Sequence, residues 1–166
     1  MSSVDLVPIT PGEKPVLAAL LQLYIYDFTE FTGEDLDGAG RFPHERLDDY
    51  VSDPARIPFL ARVSGTWAGF ALLHRCEAKD GRGPVMDMEQ FFVMRKYRRQ
   101  RTGEKMAVLL FERFPGHWQV RERHDNVPAQ QFWRTIIGRY AGSFDDIPAD
   151  TSPTGGPIQY FTSPNP

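Results

Sequence analysis

Basic residues cluster in a short stretch between a predicted strand and a predicted helix. Val85–Val93 is rich in Val, Phe and Met and has the length of a strand, and residues 106–114 repeat apolar side chains at helical spacing. Six Lys or Arg residues lie from Arg95 to Lys105. The first N–H groups of a helix lack an internal partner and lie in positive potential, so a basic loop that opens a helix favours a phosphate-bearing ligand.

The elements around this loop predict a layered fold. Strands are predicted at residues 4–9, 59–63, 67–73, 117–123, 140–144 and 158–162, and helices at residues 15–28, 43–50 and 126–138. Ser64–Thr66 favours a hairpin between the second and third strands. The order of elements predicts an α/β (α+β layered) fold, a mixed, mostly antiparallel central sheet flanked by helices, in one domain over residues 1–166.

Two stretches resemble the GNAT family of acyl-CoA N-acyltransferases. The family's pyrophosphate loop reads Arg or Gln, two residues, Gly, any residue, then Gly or Ala, and YRRQRTG places this pattern on residues 98–103. Arg101 stands where the first Gly is usual. NVPAQQFWRTIIG is similar to a later helix of the family, and the positions that carry this likeness are Asn126, Ala129, Phe132, Trp133 and Gly138.

The resemblance implies the GNAT fold, acetyl-CoA as co-substrate and direct transfer of the acetyl group to an amine of a small molecule or peptide. It implies that the backbone near Phe92, Val93 and Met94 holds the pantetheine and the thioester carbonyl. The residues implied to hold the pyrophosphate are Arg98, Arg99, Gln100, Arg101, Thr102, Gly103 and Glu104. Asn126 is implied to meet the pantetheine arm or the loop.

Acyl transfer to an amine needs a base, a stabilised carbonyl oxygen and often a proton donor for the thiolate. Glu89 is the candidate base, because an acid on a largely apolar strand loses hydration; an exposed or ion-paired Glu89 is the alternative, and Asp87 is a weaker competitor. The family's usual donor is a Tyr at the position of Trp133, whose indole is no practical acid. Tyr140 is the candidate donor from the following strand, unless it only packs or no acid is needed.

Aromatic and acidic residues on the first helix suggest where an acceptor would bind. Tyr24 and Asp27 are the candidate substrate-binding residues, since a carboxylate favours a cationic amine. Core packing for Tyr24 and a solvated helix end for Asp27 are the alternatives. No metal is predicted, because no His or Cys has a partner at ligand spacing, and Cys76 is interpreted as an ordinary strand residue.

Composition limits the remaining function classes. The net charge of −3 argues against nucleic-acid binding, although a module using the basic loop stays an alternative, and no apolar run is long enough to span a bilayer. One cysteine and no signal-peptide pattern favour the cytoplasm, and a homodimer is left open. A catalytically silent acyl-CoA-binding or interaction domain is the main alternative, since fold does not fix function.

Overall fold

The strands and helices follow the predicted order. A computed structural model describes residues 3–44, 47–148 and 155–164. Its strands are β1 (Val4–Pro8), β2 (Arg56–Val63), β3 (Thr66–Glu77), β4 (Pro84–Val93), β5 (Gly116–Arg121), β6 (Asp145–Ile147) and β7 (Ile158–Ser163). Its helices are α1 (Lys14–Thr32), α2 (Asp49–Ser52), α3 (Thr102–Arg113) and α4 (Val127–Ala141).

The seven strands form one mixed sheet in the order β1-β2-β3-β4-β5-β7-β6. The pairs β1–β2, β5–β7 and β6–β7 are antiparallel, whereas β4 and β5 are parallel. A parallel neighbour requires a crossover, and α3 supplies it, as expected for a strand–helix–strand unit. The predicted sheet flanked by helices is confirmed.

The chain divides into two compact units, and the first comprises Met1–Leu72 with Gln90–Thr102. Its core packs α1 against the sheet. The buried members of this core are Leu17, Leu20, Leu21, Tyr50, Leu60, Phe70, Leu72 and Phe92. The leucines of α1 recur at helical spacing and so form one buried face. The opposite face is exposed at Leu23 and Tyr26, so the helix is less enclosed than its apolar sequence suggests.

The second unit comprises Leu73–Glu89 with Gly103–Pro166. Its core centres on Phe111, whose ring lies 5.0 Å from Trp118 and 4.8 Å from Phe161. The buried Trp118 indole donates a hydrogen bond to the Phe114 carbonyl at 2.8 Å. Ser163 donates to the Phe111 carbonyl at 2.7 Å, which ties β7 to α3. The Trp118 indole and the Ser163 hydroxyl are thus hydrogen-bonded within this core.

The bounds of two predicted helices and one predicted strand are wrong. The helix expected at residues 43–50 is the short helix Asp49–Ser52; residues 45 and 46 of the prediction lie outside the described residues. The helix expected to end at Gly138 continues to Ala141, and the strand expected at residues 140–144 is instead β6, Asp145–Ile147. Gly142, with φ of 76°, ends α4 in a conformation that glycine adopts readily.

A glycine allows β3 and β4 to approach closely near the end of β4. A Cβ placed on Gly69 would overlap the carbonyl oxygen of Phe92 and touch the backbone of Val93. Backbone atoms cannot move aside as a flexible side chain does, so only glycine fits this position without a shift of β4. The sequence element Trp67-Ala68-Gly69-Phe70 thus fixes the place of residues 92 and 93.

Gly69→Ala should therefore destabilise the protein by about 1–3 kcal/mol, the usual cost of forcing extra volume into packed structure. Denaturant unfolding measures this change. Gly38→Ala is the matched control, because a Cβ there meets no atom within 4 Å, and its free energy of unfolding should change by less than about 0.5 kcal/mol. Equal stability of the two variants would show that β4 shifts freely at Phe92.

Candidate active site

The basic loop has a backbone conformation suited to binding an anion. After a single 3-10 turn at Arg95–Tyr97, Arg99 and Arg101 adopt left-handed conformations with φ of 59° and 61°. Left-handed residues that alternate with others turn successive N–H groups toward one side, the geometry of an anion-binding nest. Gln100 donates to the Lys96 carbonyl at 2.9 Å and helps to hold this conformation. Thr102 then begins α3 and is buried.

Arg101 occupies a position that is usually glycine in the GNAT pattern given above, and its backbone has the conformation that glycine favours. A left-handed conformation costs an ordinary residue about 1–2 kcal/mol. The chain therefore keeps the loop's backbone form and adds a cationic side chain at a cost in strain. The departure from the sequence pattern changes the side chain and leaves the backbone form intact.

Arg95 and Arg98 converge on one carboxylate of α1. Arg95 donates to Asp27 from Nη2 at 2.9 Å and from Nε at 3.2 Å. Arg98 donates to the other oxygen of Asp27 from Nη2, and its Nε donates to the Val93 carbonyl at 2.6 Å. The Arg98 guanidinium also lies over the Phe92 ring, 5.6 Å from its centre. Both oxygens of Asp27, predicted to bind the acceptor, are thus engaged by the loop.

The end of β4 is held from two sides. Met94 donates its backbone N–H to the Ala68 carbonyl at 2.8 Å, and Phe92 packs edge-on against Tyr24 with 6.0 Å between ring centres. The parallel register with β5 runs only from Met86 opposite Trp118 to Met88 opposite Val120. β4 continues for five residues past this last pair, to Val93.

Tyr24 belongs to the aromatic cluster at this place. Its ring lies 4.5 Å from that of Phe28 and 5.5 Å from that of Phe70, as well as against Phe92. The side chain is partly buried and packs against the first unit's core. This placement favours the packing interpretation of Tyr24, while a contact with an acceptor stays a prediction.

The two acids of β4 differ in their surroundings. Asp87 is 2% exposed and accepts from Arg121 Nη2 at 2.8 Å. Glu89 is half-buried on the same strand. Burial raises the pKa of the nearby Cys76 thiol, and the charges of Asp87 and Glu89 raise it further. Cys76 is therefore a protonated strand residue at neutral pH, and Glu89 is the more accessible acid.

Two further predicted cofactor residues lie at helix starts in the second unit. Asn126 precedes α4, and its Oδ1 accepts from the Ala129 N–H at 3.2 Å, which is the helix cap expected from the sequence. Glu104 lies in the first turn of α3 and pairs with Arg139 of α4 at 3.6 Å. Both side chains thus have structural contacts, and their contact with acetyl-CoA stays a prediction.

Tyr140 lies in α4 and not on a strand. Its ring packs against Phe111 at 5.2 Å, and its hydroxyl lies 2.9 Å from the Ser163 hydroxyl. The packing interpretation explains both contacts. Trp133, at the position of the family's usual proton donor, is 6% exposed and buried in the same helix.

Glu122 is a buried acid that the sequence reasoning did not single out. It follows β5 and is 8% exposed, and neither carboxylate oxygen has a hydrogen-bond partner among the described residues. Gln159 donates its amide to Asp146 at 3.0 Å, which leaves the Gln159 carbonyl oxygen without a donor. Desolvation raises the pKa of Glu122 to about 8, although the Gln159 side chain and the charge of Arg134 oppose the shift.

This arrangement of a mixed sheet, a basic loop and the helix that the loop opens defines the class of acyl-CoA N-acyltransferases. A sequence profile of the acetyltransferase (GNAT) family matches residues 18–138. The chain belongs to the GNAT family and is an acyl-CoA-dependent N-acetyltransferase, with acetyl-CoA as its co-substrate. A search of curated protein sequences gives no match.

Solved structures share the fold at low sequence identity. An aminoglycoside acetyltransferase, AAC(6')-Ib in complex with coenzyme A, has a TM-score of 0.67 at 18% identity, over 96% of this chain and 95% of that chain. A GNAT-family acetyltransferase from Staphylococcus aureus has a TM-score of 0.64 at 14% identity, over 98% and 100%. Nourseothricin acetyltransferase has a TM-score of 0.57 at 17% identity, over 97% and 99%. At these identities the likeness establishes the fold alone.

Neither a membrane-spanning helix nor a metal-binding cluster occurs among the described residues. No helix within residues 3–44, 47–148 and 155–164 has the length and apolar character to cross a membrane. The same part of the chain contains no group of three or more His, Cys, Asp or Glu residues placed to hold a metal ion.

Glu122 should make stability fall as the pH rises. Between its ordinary pKa of 4.5 and the folded value of about 8, the folded state keeps a proton that the unfolded chain releases. The free energy of unfolding then decreases with pH by up to about 1.4 kcal/mol per pH unit. Glu122→Gln removes this titrating group and should flatten the dependence, so its stability relative to wild type should rise by about 3.5 kcal/mol between pH 5 and pH 8.

Urea unfolding of both proteins from pH 5 to pH 9 tests this. Glu112→Gln, a change at an exposed position of α3, is the matched control and should follow the wild-type curve. Parallel curves for wild type and Glu122→Gln would show that Glu122 is ionised in the folded protein.

Proposed function

We propose that this acetyltransferase acetylates a cationic amine, with the acceptor drawn to the segment that runs from the end of α1 to the end of α2. The observation that carries this proposal is the segment's charge. Residues 27–53 contain nine Asp or Glu and two Arg, against a net charge of −3 for the whole chain. A concentrated negative field raises the local concentration of a cation and its rate of encounter.

The loop within this segment is ordered by its own acid. Asp37 Oδ1 accepts from the N–H groups of Ala39 at 2.8 Å and Arg41 at 3.0 Å, and these bonds lower the pKa of Asp37. Gln22 of α1 bonds both the N–H and the carbonyl of Phe42, each at 2.9 Å. The loop is thus tied to α1, and a pre-ordered charged loop binds a ligand with less entropic cost than a mobile one.

The structural neighbours support a cationic acceptor. The names of two of them specify an aminoglycoside and nourseothricin as the compounds that are acetylated. Their identity to this chain is 18% or less, so they support the class of acceptor and do not identify the compound. A peptide amine is the second acceptor class, and the same acidic segment would favour a basic peptide.

Acetyl-CoA is proposed to bind along the end of β4 and the basic loop. The nest-like backbone at Arg99 and Arg101 and the first N–H groups of α3 suit the pyrophosphate. The part of β4 beyond its last pair with β5 suits the pantetheine arm and the thioester carbonyl, through residues 92–94. Asn126 is proposed to meet the pantetheine arm.

The proposed reaction is direct attack by the neutral amine on the thioester carbon. Glu89 accepts a proton from the amine, the new C–N bond forms, and the C–S bond breaks to release the CoA thiolate. Backbone N–H groups at the end of β4 stabilise the oxygen as charge develops. Tyr140 can give the thiolate a proton only if its contact with Ser163 opens. A thiol of ordinary pKa near 8.5 also leaves as the thiolate without an acid.

Calorimetry with acetyl-CoA, followed by an amine panel, tests the function. Wild type should bind acetyl-CoA with micromolar affinity, and Gly103→Asp should lose binding because it places bulk and negative charge in the first turn of α3, among the N–H groups proposed to bind the pyrophosphate. Gly38→Asp is the matched control. It adds the same side chain at a position where a Cβ would meet no atom within 4 Å, and this variant should bind acetyl-CoA normally.

In the amine panel, polyamines and aminoglycosides should have higher kcat/KM than neutral amines of similar basicity, and salt should reduce this preference. Equal rates for neutral and cationic acceptors would contradict the proposed acceptor class.

Glu89→Gln should lower kcat by about 100-fold or more while the dissociation constant for acetyl-CoA stays within about twofold, because the change removes the base and keeps the size of the side chain. Steady-state kinetics and calorimetry measure the two effects. Asp87→Asn is the contrasting variant. It breaks a buried ion pair and should mainly lower stability. Unchanged kcat in Glu89→Gln would remove Glu89 from the mechanism.

A further inference from the structure

Asp27 connects α1 to the cofactor loop through more contacts than a surface ion pair normally makes. Its side chain is 16% exposed, and each of its oxygens accepts from a different arginine. Arg95 and Arg98 lie 68 and 71 residues after Asp27 in the sequence. A carboxylate that is mostly buried and bonded to two guanidiniums holds both of them in fixed positions.

Arg98 extends this contact to the end of β4. Its guanidinium bonds Asp27, donates to the Val93 carbonyl at 2.6 Å and lies over the Phe92 ring. These three contacts fix both the position and the orientation of the planar Arg98 guanidinium, and a lysine at the same position cannot make all three. Residues 92 and 93 and the start of the loop are therefore held by one side chain.

The loop needs such a contact because of its own charge. Five Lys or Arg residues lie among the seven residues from Arg95 to Arg101, and two of the seven have strained backbone conformations. Like charges at this density repel one another, and the strained conformation persists only when its surroundings enforce it. Asp27 pairs with two of these cations, offsets one unit of their charge and fixes the loop at its start and at Arg98, the first of the residues proposed to bind the pyrophosphate.

We propose that Asp27 is a positioning residue for acetyl-CoA: it holds Arg95 and Arg98 so that residues 98–103 keep the backbone form that receives the pyrophosphate. This rests on the proposed cofactor site at the loop. It gives the end of α1, where the segment proposed to attract the acceptor begins, a part in binding the acyl donor. Asp27 acts through the two arginines and does not itself touch acetyl-CoA.

The direction in which Asp27→Asn changes the affinity for acetyl-CoA distinguishes a positioning role from a purely electrostatic effect. If Asp27 were only a negative charge near an anion site, Asp27→Asn would tighten the binding of the anionic acetyl-CoA. If Asp27 positions the loop, the same variant weakens binding, by about tenfold, because a small displacement of binding groups is costly. Glu30→Gln removes the same charge one turn further along α1 and is the control; its acetyl-CoA affinity should stay within twofold.

Calorimetry with acetyl-CoA and steady-state kinetics together test the proposal. We expect a higher dissociation constant and KM for acetyl-CoA in Asp27→Asn, with kcat at saturating acetyl-CoA within about threefold of wild type. A merely structural role would lower the melting temperature without this selective rise in KM. Arg98→Lys, which keeps the charge, should weaken binding similarly, and the double variant should be no weaker than the poorer single variant, since both break one unit.

The outcomes separate this inference from the proposed cofactor site. Wild type that binds acetyl-CoA, with Asp27→Asn binding equally or more tightly, overturns the positioning role alone. If Asp27→Asn does not fold, Arg98→Lys decides, and wild-type affinity in that variant overturns the role. Wild type that does not bind acetyl-CoA, or binds it equally well after Gly103→Asp, overturns the cofactor site at the loop and this inference with it.

Discussion

The concentration of positive charge at the end of β4 is the constraint on which the rest of the first unit depends. Five cations within seven residues favour a phosphate ligand, but they also favour an expanded loop when no phosphate is bound. The sequence offsets this with Asp27, placed on α1 so that its carboxylate meets two of the five. The packing of α1 through Leu17, Leu20 and Leu21 therefore also sets the position of this carboxylate.

Among the described residues, the buried Asp87 and Glu122 and the partly buried Asp27 meet the cost of desolvation in different ways. Asp27 has two arginines, and Asp87 has one, Arg121, across the β4–β5 pair. Glu122 has no donor among the described residues and instead keeps a proton, because burial raises its pKa. A charge without a partner in a low-dielectric site is too costly to keep, so the acid becomes neutral. The presence of an arginine partner therefore distinguishes Asp27 and Asp87 from Glu122.

The order of elements was predicted well from the sequence, because local sequence patterns determine where each strand and helix forms. Alternating apolar residues mark the strands, and Asn126 followed by Pro128 marks the start of α4. The end of α4 was predicted wrongly, because Gly138 was interpreted as a helix-ending glycine. The helix instead continues to Ala141 and ends at Gly142, and the packing of Tyr140 against Phe111 stabilises this additional turn.

The candidate site was predicted less completely than the fold, since its contacts join distant parts of the chain. A family resemblance located the basic loop, but no local pattern pairs Asp27 with residues 68 and 71 positions away. Glu122 was also missed, because its surroundings come from α4, β6 and β7 and not from its neighbours in sequence. Spacing predicts which residues share an element, whereas the contacts of a buried charge depend on the complete fold.

An acidic binding segment raises a difficulty for an acetyltransferase, since the amine must lose its proton before it attacks. Carboxylates that attract an ammonium also stabilise it in the charged, unreactive form. The two tasks are compatible if the attracting acids lie apart from the reacting amine. Glu34, Asp35 and Asp37 are exposed in the loop after α1 and would serve the first task, whereas Glu89 would serve the second under the proposed function. A polyamine would meet both requirements of that proposal, because one of its amines can stay charged beside a carboxylate while a second gives up its proton and reacts.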